Sequence, residues 1–157
     1  MDVDQITIIS NRSGNLLKEK VLNEFKSKLS EKDRTNFERK NVLAKNFPSG
    51  EVYIQLQENV RRRKIHVIAG FHRPELYHLR REILKLGKKN NSIGITLIKD
   101  YLHSVETDCS ELVKILDAAR RSGAEEISVY TTYFPDSRQD KKDEPRVPIS
   151  AKLRFDQ

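Results

Sequence analysis

At 157 residues the chain has the length of one domain, with enough sequence to bury a real core. Charged residues make up 34% of it, mixed in sign, and apolar residues recur periodically, which argues for a folded soluble protein rather than a disordered one. No apolar run reaches the length of a membrane span, and the opening MDVDQ is acidic rather than a basic signal-peptide start. The single cysteine, Cys109, excludes an internal disulfide, so a reducing, cytoplasmic compartment is the default expectation. On that reading the sequons at Asn11 and Asn90 are chance matches. The net charge of +7 raises nucleic-acid binding as a class. Against it stand few aromatics, no tryptophan and no nucleic-acid motif; basic helices or a small phosphorylated ligand account for the same excess.

Taken in order, residues 6–10 (ITIIS) form a short apolar β-type run, and 11–15 supply turn chemistry around Gly14. Leu16, Leu17, Val21, Leu22, Phe25 and Leu29 recur at helical spacing, which predicts a strand–turn–helix unit with these side chains on one stripe. The polar stretch 30–40 reads as a surface connection. Residues 42–47 predict a second strand, stopped by 48–50 (PSG). Val52, Ile54 and Leu56 then alternate with Tyr53, Gln55 and Gln57, the period of a half-buried strand.

A basic turn at 61–64 leads into an apolar strand over 65–69, ending at Gly70. Leu76, Leu79, Ile83 and Leu86 form a helical stripe after Pro74, closed by Gly87, and 93–98 is again β-like. Residues 110–121 carry Leu112, Ile115, Leu116 and Ala119 on one helical face, with Gly123 at the end; 127–132 is the last strand. This alternation specifies an α/β fold, a mainly parallel sheet flanked by helices, in one domain spanning 1–157. Pro148 suits the first turn of a helix that begins near Ser150, and the expectation is a chain cut short within that helix.

Two stretches carry candidate chemistry. The long polar loop after residue 132 holds Arg138, Lys141, Lys142 and Arg146, which can neutralise phosphates, arginine with bidentate geometry. Asp140 and Asp143 can hold the loop's own arginines or reach a magnesium ion through water, and Gln139 can hydrogen-bond a base or a phosphate oxygen. A solvated loop of mutually paired charges is the alternative. The second stretch, 47–51 (FPSGE), sets Phe47 beside a turn, where it offers a ring to a flat ligand while Glu51 accepts from an amino group; otherwise Phe47 fills the core. His66, His72, His78 and His103 lack metal-ligand spacing, and Cys109 lacks a local partner for nucleophilic chemistry. No phosphate-binding glycine loop or nucleophile elbow is present.

Residues 137–153 (SRQDKKDEPRVPISAKL) resemble the signature of the ribose-phosphate diphosphokinases, or phosphoribosyl pyrophosphate synthetases, whose pattern there is close to ARQD-(K/R)-K-D-x-x-R-x-PISAKL. FPSGEVYIQLQENVR at 47–61 and TDCSELVKILDAARRSGAEEISVYTTYF at 107–134 are similar to the family in the same order. The resemblance covers essentially the whole chain and the amino-terminal half of the family's length. It implies a phosphoribosyltransferase-like fold and transfer of diphosphate from ATP, with magnesium, to ribose 5-phosphate. It places Arg138 and Gln139 against ATP, with Asp143 in the same cluster. It gives Phe47, Ser49 and Glu51 to an adenine held from a neighbouring subunit, so self-association is expected.

Pro48 and Ser49 stand where the family has serine and then a polar or acidic side chain, and 71–106 reads as an insertion near the family's regulatory phosphate site. The family's Asp-Leu-His magnesium motif, flexible loop and ribose-5-phosphate loop would lie beyond residue 157. The chain is therefore expected to hold the ATP side alone, with no catalytic or metal-ligating residue of its own, and to be inactive by itself. The alternative expectation is a non-catalytic subunit that assembles with a full-length synthetase and regulates it.

Overall fold

The structure, a computed structural model, describes residues 6–28, 42–71 and 104–156. In chain order the elements are β1 (Ile6–Ser10), α1 (Asn15–Ser27), β2 (Val42–Asn46), β3 (Val52–Leu56), β4 (Lys64–Ala69), α2 (Val105–Arg121), β5 (Glu126–Thr131) and α3 (Ser150–Phe155). Among the described residues three strands form a parallel sheet in the order β1-β4-β5, with Ile8 opposite His66 and Ile68 opposite Tyr130. β2 and β3 form a separate antiparallel hairpin.

The two-residue period of the strands divides the core. Ile8 and Ile68 are buried with Leu22 of α1 on one face. Ile9, Ile65 and Val67 are buried with Ile115 and Ala119 of α2 on the other, joined by Val42, Ile54 and Leu56 of the hairpin. Each such aliphatic side chain contributes about 1.5–3 kcal/mol relative to exposure. Lys114 of α2 donates to Val52 O at 2.6 Å, so the hairpin is fastened to the same helix.

The strands and the α/β alternation match the periodicity. α2, however, starts at Val105 rather than 110. Ser104 caps it, accepting from the Thr107 N–H at 3.1 Å, and Val105 and Cys109 pack against Ala69 and Phe71. Of the expected insertion, Phe71 and residues 104–106 are among the described residues, and Phe71 and Val105 pack in this cluster. The rest of it, with the expected helix, the strand at 93–98, Asn90 and three of the histidines, lies outside the described residues. Leu29 and the connection at 30–40 also lie outside them.

The single apolar stripe expected on α1 does not form. Leu22 is buried and Phe25 packs beside it, but Leu16 is 51% exposed and Leu17 and Val21 are exposed as well. At 3.6 residues per turn those three stand about 100–140° around the helix from Leu22, away from the sheet. Pro148 lies outside α3, which starts at Ser150 behind Ile149 as its cap residue. Among the described residues no helix is long and apolar enough to cross a membrane.

Candidate functional site at the carboxyl edge of the sheet

The loop after β1 is pinned to the end of β4. Asn11, 1% exposed, donates from Nδ2 to Gly70 O at 2.6 Å, and its Oδ1 accepts from the N–H groups of Gly14 and Gly70, each at 2.9 Å. Both polar atoms of its amide are therefore engaged, and its burial closes it to modification. The loop needs glycine to approach this closely: a Cβ on Gly14 would lie 2.2 Å from Ile68 O, and one on Gly70 2.5 Å from Ser13 C.

Two buried carboxylates of α2 meet the same loop. Glu111, 0% exposed, accepts from Arg12 Nε at 2.5 Å and from the Arg12 N–H at 2.9 Å. Asp108, 1% exposed, accepts from Ser13 Oγ at 2.7 Å. Arg12 Nη2 then reaches Asn46 Oδ1 at 2.5 Å, one residue before Phe47. One arginine joins the first loop, the central helix and the hairpin.

The hairpin tip brings Phe47, Ser49 and Glu51 together. The Phe47 N–H donates to Glu51 O at 2.8 Å, the Gly50 N–H donates to Phe47 O at 2.9 Å, and Gly50 takes φ 92 to close the turn. Ser49 Oγ donates to Glu51 Oε2 at 2.9 Å. Phe47 does not fill the core: it is 52% exposed, its ring edge-on to Tyr53 with centroids 6.1 Å apart.

The loop after β5 is anchored at its base and open at its tip. Thr131 Oγ1 donates to Tyr133 O at 2.5 Å, Tyr133 meets Phe71 edge-on at 6.4 Å, and Pro135 is buried. The Gln139 N–H donates to Asp136 O at 2.8 Å, and Gln139 O accepts from the Ala151 N–H of α3 at 3.2 Å. Arg138, Gln139 and Asp143 are exposed, and their side chains make no hydrogen bond or ion pair among the described residues. Neither do Asp140, Lys141, Lys142, Glu144 and Arg146, so the loop is not a set of mutually paired charges.

The hairpin residues thus form one group and the loop residues another, with no hydrogen bond or ion pair between the two groups. No three His, Cys, Asp or Glu side chains among the described residues converge on a metal position. Burial pushes the Cys109 thiol up to about 11, the nearby Arg154 opposing it, so it is a protonated packing residue at neutral pH. His66, on β4, places Nδ1 3.1 Å from Tyr130 OH. Sequence reasoning passed over Arg12, Asp108 and Glu111. Their signal was spacing: positions 108, 111 and 115 share one helical face, so two carboxylates sit on the stripe that buries Ile115.

A family description, the N-terminal domain of ribose phosphate pyrophosphokinase, matches residues 6–157. The chain belongs to this family. Over 112 residues it is 30% identical to the ribose-phosphate pyrophosphokinase of Aquifex aeolicus, covering 71% of this chain and 26% of that protein. Over 107 residues it is 32% identical to that of Rhodopirellula baltica, covering 68% and 24% respectively. The chain therefore spans about a quarter of the length of these curated relatives. In fold it is similar to the crystal structure of phosphoribosylpyrophosphate synthetase from Mycobacterium smegmatis, with a TM-score of 0.66 and 21% identity over 97% of this chain and 38% of that one. The α/β, phosphoribosyltransferase-like architecture expected from the sequence is the one observed.

Proposed function

We propose that this family domain supplies the ATP side of a ribose-phosphate pyrophosphokinase site, in which diphosphate passes from ATP to ribose 5-phosphate for nucleotide biosynthesis. The observation that carries this reading is the loop after β5. It leaves the carboxyl end of a parallel strand, where open α/β sheets bind ligands, and presents Arg138, Gln139 and Asp143 exposed and unpaired. Phosphoryl transfer asks a protein chiefly for positioning and charge neutralisation. A free guanidinium at Arg138 offers two parallel donors to phosphate oxygens, and Gln139 adds a neutral donor beside it.

Phe47, Ser49 and Glu51 serve as the adenine-side group. Their separation from the loop residues supports a site completed between two copies, with the exposed Phe47 ring of one reaching the nucleotide of its neighbour. Magnesium enters with ATP as part of the substrate. Ribose 5-phosphate is bound by a different segment or chain, such as a full-length synthetase. A lone buried cysteine and an ATP-dependent reaction support a cytoplasmic location.

Isothermal titration of the 157-residue chain with magnesium-ATP tests the reading. Weak saturable binding is expected, weakened about tenfold in Arg138→Ala, the worth of one charge-assisted contact. Absence of binding by folded protein refutes it. Formation of phosphoribosyl pyrophosphate by this chain alone would refute the assignment to the ATP side only.

A further inference from the structure

The turn that carries Arg138 and Gln139 begins at Asp136, whose carbonyl accepts the Gln139 N–H and whose backbone takes the left-handed φ of 60. Aspartate tolerates that conformation better than most residues, yet it still carries a cost that a partner offsets. The partner comes from α3. Arg154 Nε donates to Asp136 Oδ2 at 2.7 Å, and Arg154 Nη2 donates to Glu106 Oε1 in the first turn of α2. The turn is fixed again at its far end, where the Ala151 N–H of α3 donates to Gln139 O at 3.2 Å.

We propose that Arg154 is the positioning residue of the nucleotide loop: its planar fork bridges Glu106 and Asp136 and so fixes the direction in which Arg138 and Gln139 project. This rests on the ATP-side reading of that loop. Three features favour a positioning role over a surface pair. The Arg154 side chain is only 18% exposed and that of Asp136 31%, whereas exposed pairs contribute little. The bridge uses two separate nitrogens of one guanidinium, Nε and Nη2, a geometry that the single ammonium of lysine does not reproduce. The two hydrogen bonds, to Asp136 first and then Glu106, also raise the Arg154 pKa above the ordinary guanidinium value. Arg154 itself is assigned no contact with the nucleotide.

The test uses Arg154→Met, Arg154→Lys and Glu106→Gln, with two readouts: amide hydrogen exchange of residues 136–140 by NMR, and magnesium-ATP titration. In R154M the Gln139 amide is expected to exchange about tenfold faster and the affinity for magnesium-ATP to fall about tenfold, with far-UV circular dichroism unchanged. R154K should resemble R154M, while E106Q, which keeps an acceptor for Nη2, should change both readouts by less than about threefold. If R154M does not fold, Asp136→Ala removes the same bond from the loop side and is held to the same expectation. Unchanged exchange at Gln139, or unchanged affinity alongside faster exchange, overturns the proposal. If the wild-type chain does not bind magnesium-ATP, the ATP-side reading fails, while the exchange measurement still decides whether Arg154 holds the turn.

Discussion

Arg12→Met breaks the ion pair at the centre of the carboxyl edge, together with the bond from Arg12 Nη2 to Asn46. The change keeps much of the side-chain volume and removes the guanidinium, leaving the Glu111 carboxylate, 0% exposed, with the Arg12 N–H at 2.9 Å. Breaking one side of a buried pair costs about 3–5 kcal/mol. The lower end applies here, because the Arg12 side chain is 20% exposed and one charge-assisted bond from the main chain survives. A loss of about 3 kcal/mol corresponds to a fall of about 6–12 °C in Tm for a domain of this size. The double variant R12M/E111M fills the same space with apolar groups and should lose less than the two single variants summed, although the residue-12 N–H and Asn46 Oδ1 are left without these partners. Urea unfolding of wild type, both single variants and the double variant, followed by circular dichroism, yields the coupling energy directly. Two results would refute the reasoning: an R12M midpoint equal to wild type, or single-variant losses that simply add in the double variant.

Two further predictions use the same unfolding assay. Arg62 is exposed and sits at φ 59, a conformation costing an L-residue about 1–2 kcal/mol. Arg62→Gly relieves that cost but frees the unfolded chain, so a net gain of about 0.5–1 kcal/mol is expected; a loss would show that the Arg62 side chain stabilises the fold. Cys109 has its folded pKa raised from 9.0 to about 11, chiefly by desolvation. The folded state holds the thiol proton more tightly, so this contribution is fully present below about 9 and lost as pH rises from about 9 to about 11. Over that window wild type should lose stability faster than Cys109→Ala, and parallel pH profiles would contradict the assignment.

Legibility of the fold from sequence differed by element. The strands were readable because period-2 alternation and uninterrupted apolar runs are local properties: Val52, Ile54 and Leu56 alternate, and 65–69 is continuous. Together with the intervening helices they specified a parallel α/β sheet, and the string PISAKL pointed to the family that the comparisons support. The faces of α1 were less readable. Apolar content near helical spacing did not say which side met the sheet, and Leu16, Leu17 and Val21 fall outside the contact with Ile8 and Ile68. The start of α2 was missed by five residues because its first turn is polar and depends on Ser104 as a cap.

The candidate site divides along the same line. Which residues can carry the chemistry was a property of the sequence alone: Arg138, Gln139 and Asp143 in one loop, Phe47, Ser49 and Glu51 in one hairpin turn. The tertiary structure decided which of their charges are engaged and what holds them. It left the loop's charged side chains from Arg138 to Arg146 unpaired, put Phe47 on the surface, and recruited Arg12, Glu111, Asp136 and Arg154 as the framework. The reason is separation along the chain. Arg12 and Glu111 lie 99 residues apart, and Arg154 and Glu106 lie 48 apart. A local pattern reports which way a side chain points along its own element, while the identity of the partner depends on how the sheet gathers distant elements at one edge.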